Sequence, residues 1–123
     1  EVGTSNAMVN QIDFIASFAS LLNIELKDTQ APDSRNVLPA LLGQSSSSYS
    51  LMLEEAKRIV ALRDGHWKYI PTPANTGGQL YNLDLDPGEQ TNVVEQNAER
   101  AKQMNMQLEE LVATKKGIRS ATK

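Results

Sequence analysis

Apolar residues near the start of the chain recur every three or four positions, which is the spacing of one helix face. This pattern predicts a helix over residues 9–23, with Asn10 as its N-cap and Asp13 in its first turn. Phe14 and Leu21 lie beside the main apolar face, so the helix is apolar around more than half of its circumference and needs cover on two sides. The main face consists of Ile12, Ile15, Phe18, Ala19 and Leu22.

A second, shorter helix is predicted over residues 36–42. Pro39 falls in its first turn, where a missing N–H does little harm, and Gly43 follows its last residue. Residues 44–48 are polar and rich in serine, which is typical of a linker.

From Tyr49 onward the spacing of apolar residues changes from three or four to two, and this change predicts strands. They cover residues 49–54, 58–63, 66–71 and 79–84. Asp64-Gly65 predicts a two-residue type I′ hairpin turn. That turn places Arg63 opposite His66, and it fixes one core face made of Val60 and Leu62 opposite Tyr69 and Trp67.

The last part of the chain reads as a turn followed by a helix. Asp86-Pro87-Gly88-Glu89 has the composition of a type II turn, and Asn92 with Glu95 resembles a capping box. A helix is predicted over residues 98–114, with an apolar face of Ala101, Met104, Leu108, Leu111 and Val112. The predicted fold class is therefore α+β: a four-stranded antiparallel sheet covered by a C-terminal helix and preceded by two helices.

Composition excludes several classes of function. The net charge of −3 and the pI near 5.1 argue against a nucleic-acid partner, which requires a basic face. The chain has no cysteine and one histidine, which excludes disulfides, thiolate zinc sites and multi-histidine metal sites within it. No apolar run approaches the roughly 20 residues that span a bilayer. Residues 1–7 precede Met8 and read as a vector-derived tag.

Three motifs follow one another in the second half of the chain. They are Arg63-Asp64-Gly65-His66-Trp67-Lys68-Tyr69-Ile70, then Leu80-Tyr81-Asn82-Leu83, then Asp86-Pro87-Gly88-Glu89 with Asn92. This order resembles the C-terminal subdomain of the arylsulfatase-like sulfatases of the alkaline-phosphatase-like superfamily. The earlier segments Gln11-Ile12-Asp13, Leu21-Leu22-Asn23-Ile24, Asp33-Ser34 and Leu38-Pro39-Ala40-Leu41-Leu42-Gly43 are similar to that family as well.

The resemblance implies that the chain is the C-terminal fragment of a sulfuric ester hydrolase. Residues 8–43 would come from the edge of the catalytic domain, 44–48 would be a linker, 49–117 the C-terminal subdomain and 118–123 a frayed tail. Such enzymes use a formylglycine, made from the Cys or Ser of a C/S-x-P-x-R motif, and a calcium ion. The chain contains neither the motif nor the calcium ligands, so the fragment alone is expected to be inactive. The resemblance also implies export of the parent protein to a periplasm or the cell exterior.

Two residues are candidates for contact with substrate at the rim of the parent enzyme's pocket, Arg63 and His66. Arginine binds sulfate oxygens well because its planar fork matches them. His66 is the one side chain able to act as a base at neutral pH. A Ser-His-Asp arrangement with Asp64 and a serine of the 45–48 run is disfavoured, because nothing orients that run toward His66.

Two other kinds of binding site are disfavoured by the sequence. The carboxylates Asp84, Asp86, Glu89 and Glu95 invite a calcium site, but Gly88 and Glu89 occupy the wrong positions for an EF-hand loop. Trp67 and Tyr69 are expected in the core instead of forming a sugar-stacking platform.

The partner expected from the family resemblance is the missing N-terminal catalytic domain. In its absence the apolar helix favours a homodimer through Ile12, Ile15, Phe18 and Leu22. Two alternatives to the sulfatase fragment stay open at this point: a free-standing module that binds sulfated glycans, and the C-terminal region of a related phosphodiesterase or phosphonate hydrolase.

Overall fold

The structure is a computed structural model that describes residues 5–46, 49–72 and 77–113. Most of the expected tag, Ser47 and Ser48 of the expected linker, and the expected frayed tail lie outside these residues. The chain divides into an N-terminal unit, Glu1–Tyr49, and a C-terminal unit, Ser50–Lys123. Within the described ranges, no helix combines the length and the apolar content needed to cross a membrane.

The N-terminal unit contains a short 3-10 helix and two α-helices. The 3-10 helix, Gln11–Asp13, leads directly into α1, Phe14–Leu21, and α2 follows at Leu38–Leu41. The predicted cap is confirmed, because the Asn10 side chain accepts from the Ile12 amide at 3.4 Å while the Asn10 amide donates to Asp13 at 2.9 Å. Both predicted helices are shorter than their apolar spacing indicated.

The most deeply buried side chains of the 3-10 helix and α1 are polar. Asp13 and Ser17 are fully buried, and the Ser17 hydroxyl accepts a hydrogen bond from the Val37 amide at 3.0 Å. Of the five residues of the predicted apolar face, Ala19 alone is buried, and the other four are between 47 and 66% exposed. Most of the apolar face of this helix is therefore exposed within the N-terminal unit.

The C-terminal unit is a four-stranded antiparallel sheet in the order β1-β2-β3-β4, with each strand beside its neighbour in sequence. The strands are β1 Leu51–Ala56, β2 Ile59–Asp64, β3 Trp67–Ile70 and β4 Gln79–Asn82, and α3 follows at Ala98–Ala113. The predicted α+β class is confirmed, with helices preceding the sheet and a C-terminal helix packed on it.

One face of the sheet and α3 share a single apolar core. Leu62, Leu80 and Met104 are its most deeply buried members, each at most 1% exposed. Tyr69, Ala101 and Leu108 complete the buried cluster, and Val60 and Trp67 pack against it. The predicted core face of the hairpin is thus correct.

The predicted register of the hairpin between β2 and β3 is wrong. Leu62 pairs with Tyr69 and Asp64 with Trp67, so the two turn residues are Gly65 and His66 instead of Asp64 and Gly65. Gly65 has a φ of +57°, whereas Asp64 and His66 lack a positive φ, which matches a type II′ turn with glycine at its first central position. Because the pairing moves by two residues, every side chain keeps its face.

Two other turn predictions are also wrong. In the turn after β4 the positive φ of 54° belongs to Glu89, not to Gly88, and the Glu89 amide donates to the Asp86 carbonyl at 3.2 Å. This is a type I turn followed by a left-handed residue. Asn92 caps no helix, since its side chain accepts from the Leu80 and Val94 amides, both at 3.0 Å. The Asn92 side chain thus links the segment before α3 to strand β4 through hydrogen bonds.

Candidate functional site

The hairpin tip carries both candidate rim residues. We use "hairpin tip" for residues 63–66, which comprise the end of β2 and the turn. The glycine conformation at Gly65 permits the turn, and the Gly65 amide donates to the Ser50 carbonyl at 3.3 Å. The carbonyl of His66 accepts from the Leu83 amide at 2.7 Å. The tip is thus hydrogen-bonded on both sides.

Arg63 lies on the sheet face opposite the apolar core, directly across from Lys68. Its Nε donates to the Gly65 carbonyl at 3.2 Å, which folds the side chain along the tip. Among the described residues, no carboxylate lies within ion-pair distance of Arg63. Its guanidinium keeps donors for an anion, and an anion such as a sulfate ester matches its geometry.

His66 is the second central residue of the turn. Its side chain is 46% exposed, and its Nδ1 lies 3.9 Å from a carboxylate oxygen of Asp84, beyond hydrogen-bond length. The imidazole sits beside the Trp67 indole, with ring centroids 5.3 Å apart. The hairpin tip therefore carries an exposed imidazole three positions along the chain from the Arg63 guanidinium.

Asp64 points to the other face of the sheet and pairs with a residue that the sequence patterns did not single out. Its carboxylate accepts a hydrogen bond from Nη2 of Arg100, in the first turn of α3, at 2.6 Å. In the described contacts this carboxylate therefore pairs with Arg100, and Ser47 and Ser48 of the disfavoured Ser-His-Asp arrangement lie outside the described residues. The two partners are 36 positions apart, so no local spacing marks the contact.

Lys68, next to Arg63, is itself neutralised. Its ammonium contacts Glu54 at 2.8 Å and Glu89 at 2.7 Å, and its side chain is 15% exposed. Burial alone lowers the pKa of Lys68, but the hydrogen bonds and negative charges of the two carboxylates outweigh burial and raise that pKa above the usual lysine value. Arg63 is consequently the cation that this part of the sheet offers to an anion.

The acidic residues after β4 do not form a cation cage in the described part of the chain. Asp86 accepts from the Gln90 and Thr91 amides at 3.0 and 2.7 Å, and these bonds lower its pKa. Glu89 is held by Lys68. Within residues 5–46, 49–72 and 77–113, no group of three or more acidic or histidine side chains converges on one point.

The predicted core positions of the two hairpin aromatics are confirmed. Tyr69 is 3% exposed, and its hydroxyl donates to the Asn105 side chain at 3.2 Å. Burial, followed by the charge of Glu109, raises the Tyr69 pKa. Trp67 packs against the apolar core, so its indole face is not an open sugar platform.

The N-terminal unit presents a second feature, which we call the apolar face. Six neighbouring apolar side chains of the 3-10 helix and α1 are each between 38 and 66% exposed, and two of them, Phe14 and Phe18, stack with centroids 5.6 Å apart. Isolated exposed apolar residues are ordinary, but a contiguous set of this size marks an interaction surface. The face consists of Ile12, Phe14, Ile15, Phe18, Leu21 and Leu22.

Comparison with known proteins gives a consistent result. No protein-family model matches the chain. An N-acetylgalactosamine-6-O-sulfatase of Bacteroides thetaiotaomicron is 34% identical over an alignment of 118 positions, and the match covers 84% of this chain and 23% of that protein. A solved 6S-sulfatase structure from work on glycosaminoglycan metabolism by the same organism is 33% identical, with a TM-score of 0.67, over 85% of this chain and 25% of that one.

A third relative shows the same fold at lower identity. It is a Bacteroides thetaiotaomicron protein assigned as a sulfatase, 19% identical, with a TM-score of 0.63 over 90% of this chain and 26% of its own. The chain therefore spans about a quarter of the length of the relatives that it matches.

Proposed function

This chain corresponds to the C-terminal region of a sulfatase, and we propose that it serves that enzyme as a structural and substrate-rim element. The chain has no cysteine and no serine followed by x-Pro-x-Arg, so it lacks the residue from which the family's formylglycine is made. Among the described residues, no group of acidic side chains converges as calcium ligands would. The chain's own contribution is therefore packing and substrate contact, and catalysis belongs to the remainder of the parent protein.

The observation that carries the structural role is the exposure of the apolar face. Phe18 is 52% exposed and Leu22 66% exposed, although both belong to one continuous apolar surface. Burial of such side chains contributes about 1.5–3 kcal/mol each relative to full exposure, so the surface favours a covered state. The matched region is about a quarter of each relative, and the remaining three quarters would contain the catalytic portion. We assign this catalytic portion as the partner that covers the apolar face. A second copy of this chain is the competing outcome.

The rim role rests on the hairpin tip. Arg63 carries donors that no described carboxylate takes up, and the His66 ring beside it is exposed. A cation next to an exposed ring suits a sugar that bears a sulfate ester, because the cation binds the sulfate and the ring packs on the sugar. The first substrate class to test is a 6-O-sulfated amino sugar, as the name of the relative at 34% identity indicates.

The test is a steady-state sulfatase assay on the intact protein and on the present chain alone. We expect hydrolysis of a chromogenic aryl sulfate and of N-acetylgalactosamine 6-sulfate by the intact protein only. Arg63→Ala in the intact protein should raise KM for the sulfated sugar about tenfold with kcat little changed, the loss of one charged hydrogen bond. Arg58→Ala, at the opposite end of the same strand region, is the matched control and should leave KM unchanged.

A second arm addresses the apolar face. Phe18→Ser should lower the melting temperature of the intact protein by several degrees, while Leu85→Ser, at a residue that is 84% exposed outside the face, should not. If Phe18→Ser instead dissociates a dimer of the intact protein without lowering its melting temperature, the face joins two copies and the assignment of the catalytic portion is wrong. Turnover of a phosphodiester in place of a sulfate ester would overturn the sulfatase assignment.

A further inference from the structure

We propose that Arg100 is a positioning residue, whose ion pair with Asp64 holds the hairpin tip and presents Arg63 to the sulfated substrate. The proposal rests on the rim role given above and extends it to the first turn of α3. Arg100 contacts neither Arg63 nor His66 in the described contacts, so it acts through Asp64.

The geometry of the pair supports this role. Nη2 of Arg100 lies 2.6 Å from Oδ2 of Asp64, a short charge-assisted contact between two side chains that are 36 and 31% exposed. Asp64 is the last residue of β2 and is bonded through the chain to Gly65. The ion pair therefore ties helix α3 to the base of the turn on the face opposite Arg63.

The placement of Arg100 is unfavourable for the helix itself. It is the third residue of α3, where the positive end of the helix dipole repels a cation. In addition, its Nε is buried and has no hydrogen-bond partner among the described residues. Repulsion by the helix dipole and an unpaired buried Nε both disfavour an arginine at this position of the helix. The contact with Asp64 is the interaction that accounts for the arginine.

The pair also alters the charge that an anion meets at the tip. An unpaired Asp64 carboxylate beside Arg63 would repel a sulfate ester and compete for the guanidinium. Arg100 neutralises this carboxylate and holds it on the helix side of the sheet. Arg63 is thereby left as the charged group that faces the substrate.

The experiment measures KM and kcat of the intact protein on N-acetylgalactosamine 6-sulfate. Arg100→Met should raise KM about fivefold with kcat within twofold, and Arg100→Lys should retain most of the wild-type KM. In the double variant Arg63→Ala with Arg100→Met, KM should not exceed that of Arg63→Ala alone, because both changes act on one contact. If Arg100→Met does not yield folded protein, Arg100→Gln, which also removes the positive charge and leaves the Asp64 carboxylate in place, is held to the same criteria.

The matched control is Asn105→Ala, which removes the contact of Tyr69 with the same helix but leaves the tip intact. A KM that Asn105→Ala raises as much as Arg100→Met would show general loosening of the sheet and overturn the positioning role. A normal KM in Arg100→Met together with a raised KM in Arg63→Ala would overturn this inference and leave the rim role standing. A normal KM in both variants would overturn both.

Discussion

The two units of the chain are stabilised in opposite ways. In the C-terminal unit, apolar side chains such as Leu62 and Leu80 are fully buried between the sheet and α3. Among the described residues of the N-terminal unit, the fully buried side chains are Asp13 and Ser17, and the large apolar residues of α1 are exposed. The first arrangement buries its apolar side chains against one another, whereas the second places polar contacts inside and leaves large apolar side chains exposed.

Asp13 shows how the N-terminal unit works. Its carboxylate accepts from the Asn10 amide at 2.9 Å, the Arg35 amide at 3.0 Å and the Tyr49 hydroxyl at 2.5 Å. The Arg35 guanidinium lies over the Tyr49 ring, 4.4 Å from its centroid. A buried carboxylate with several donors fixes the path of a loop where a small unit cannot bury enough apolar surface. The cost is that the unit depends on a single side chain.

The largest expected effect is on the apolar core of the C-terminal unit. Leu80→Ala should lower the free energy of unfolding by about 2–5 kcal/mol, because it leaves a cavity at a fully buried position. The measurement is urea denaturation followed by circular dichroism and by fluorescence of Trp67, the single tryptophan. Phe18→Ala is the comparison variant and should cost less than about 1 kcal/mol in this chain, since Phe18 is 52% exposed. Equal losses would break the contrast between the units.

The next effect concerns the polar centre of the N-terminal unit. Asp13→Ala leaves three donors without their acceptor, and we expect a local loss of about 3 kcal/mol. Hydrogen exchange should show roughly hundred-fold faster exchange of the Arg35 amide, with the Tyr69 amide unchanged. Asp28→Ala, at an exposed position of the same unit, should leave both rates as they are. Faster exchange throughout the sheet would mean that the two units unfold together.

The smallest effect depends on pH. The folded-state pKa of Lys68 lies above its unfolded value, so its stabilising contribution is present below about pH 10.4 and is lost as the pH rises through the folded pKa. Lys68→Met should therefore be less stable than wild type by about 1 kcal/mol from pH 7 to 9, and the gap should close at higher pH. Lys102→Met, at an exposed position on α3, is the control without a gap. A gap that does not begin to shrink as the pH rises above about 10.5 would contradict the role of the ion pairs.

Much of the fold followed from the sequence because its patterns are local. Alternation placed all four strands, and the spacing of Ala101, Met104 and Leu108 identified the buried face of α3. The Asp64-Gly65 pair correctly predicted a hairpin. The same pair is compatible with two turns, a type I′ turn with Asp64 and Gly65 at its centre and a type II′ turn with Gly65 as its first central residue. The choice between them is made by Asp64 pairing with Trp67 and with Arg100, contacts that local spacing does not reveal.

Less of the candidate site could be predicted. Arg63 and His66 were marked by residue type and by their place near a turn, and whether they touch substrate stays a prediction. The burial of Asp13 and Ser17 runs against the usual preference of polar residues for the surface, so an apolar pattern could not identify the inner face of α1. Contacts between residues that are distant in sequence could not be predicted either. Arg100 pairs with Asp64 and Tyr49 pairs with Asp13, each across 36 positions.

The sequential order of the sheet has a consequence for how the C-terminal unit assembles. Each strand pairs with the one before it in the chain, and the two-residue turns at Lys57–Arg58 and Gly65–His66 close the first two pairings. Short loop closures carry a small entropic penalty, and a topology with low contact order folds quickly. The sheet can therefore form by successive hairpin addition, without waiting for a strand from a distant part of the polypeptide. Rapid, self-contained assembly of this kind limits the time for which unpaired strand edges are open to other chains.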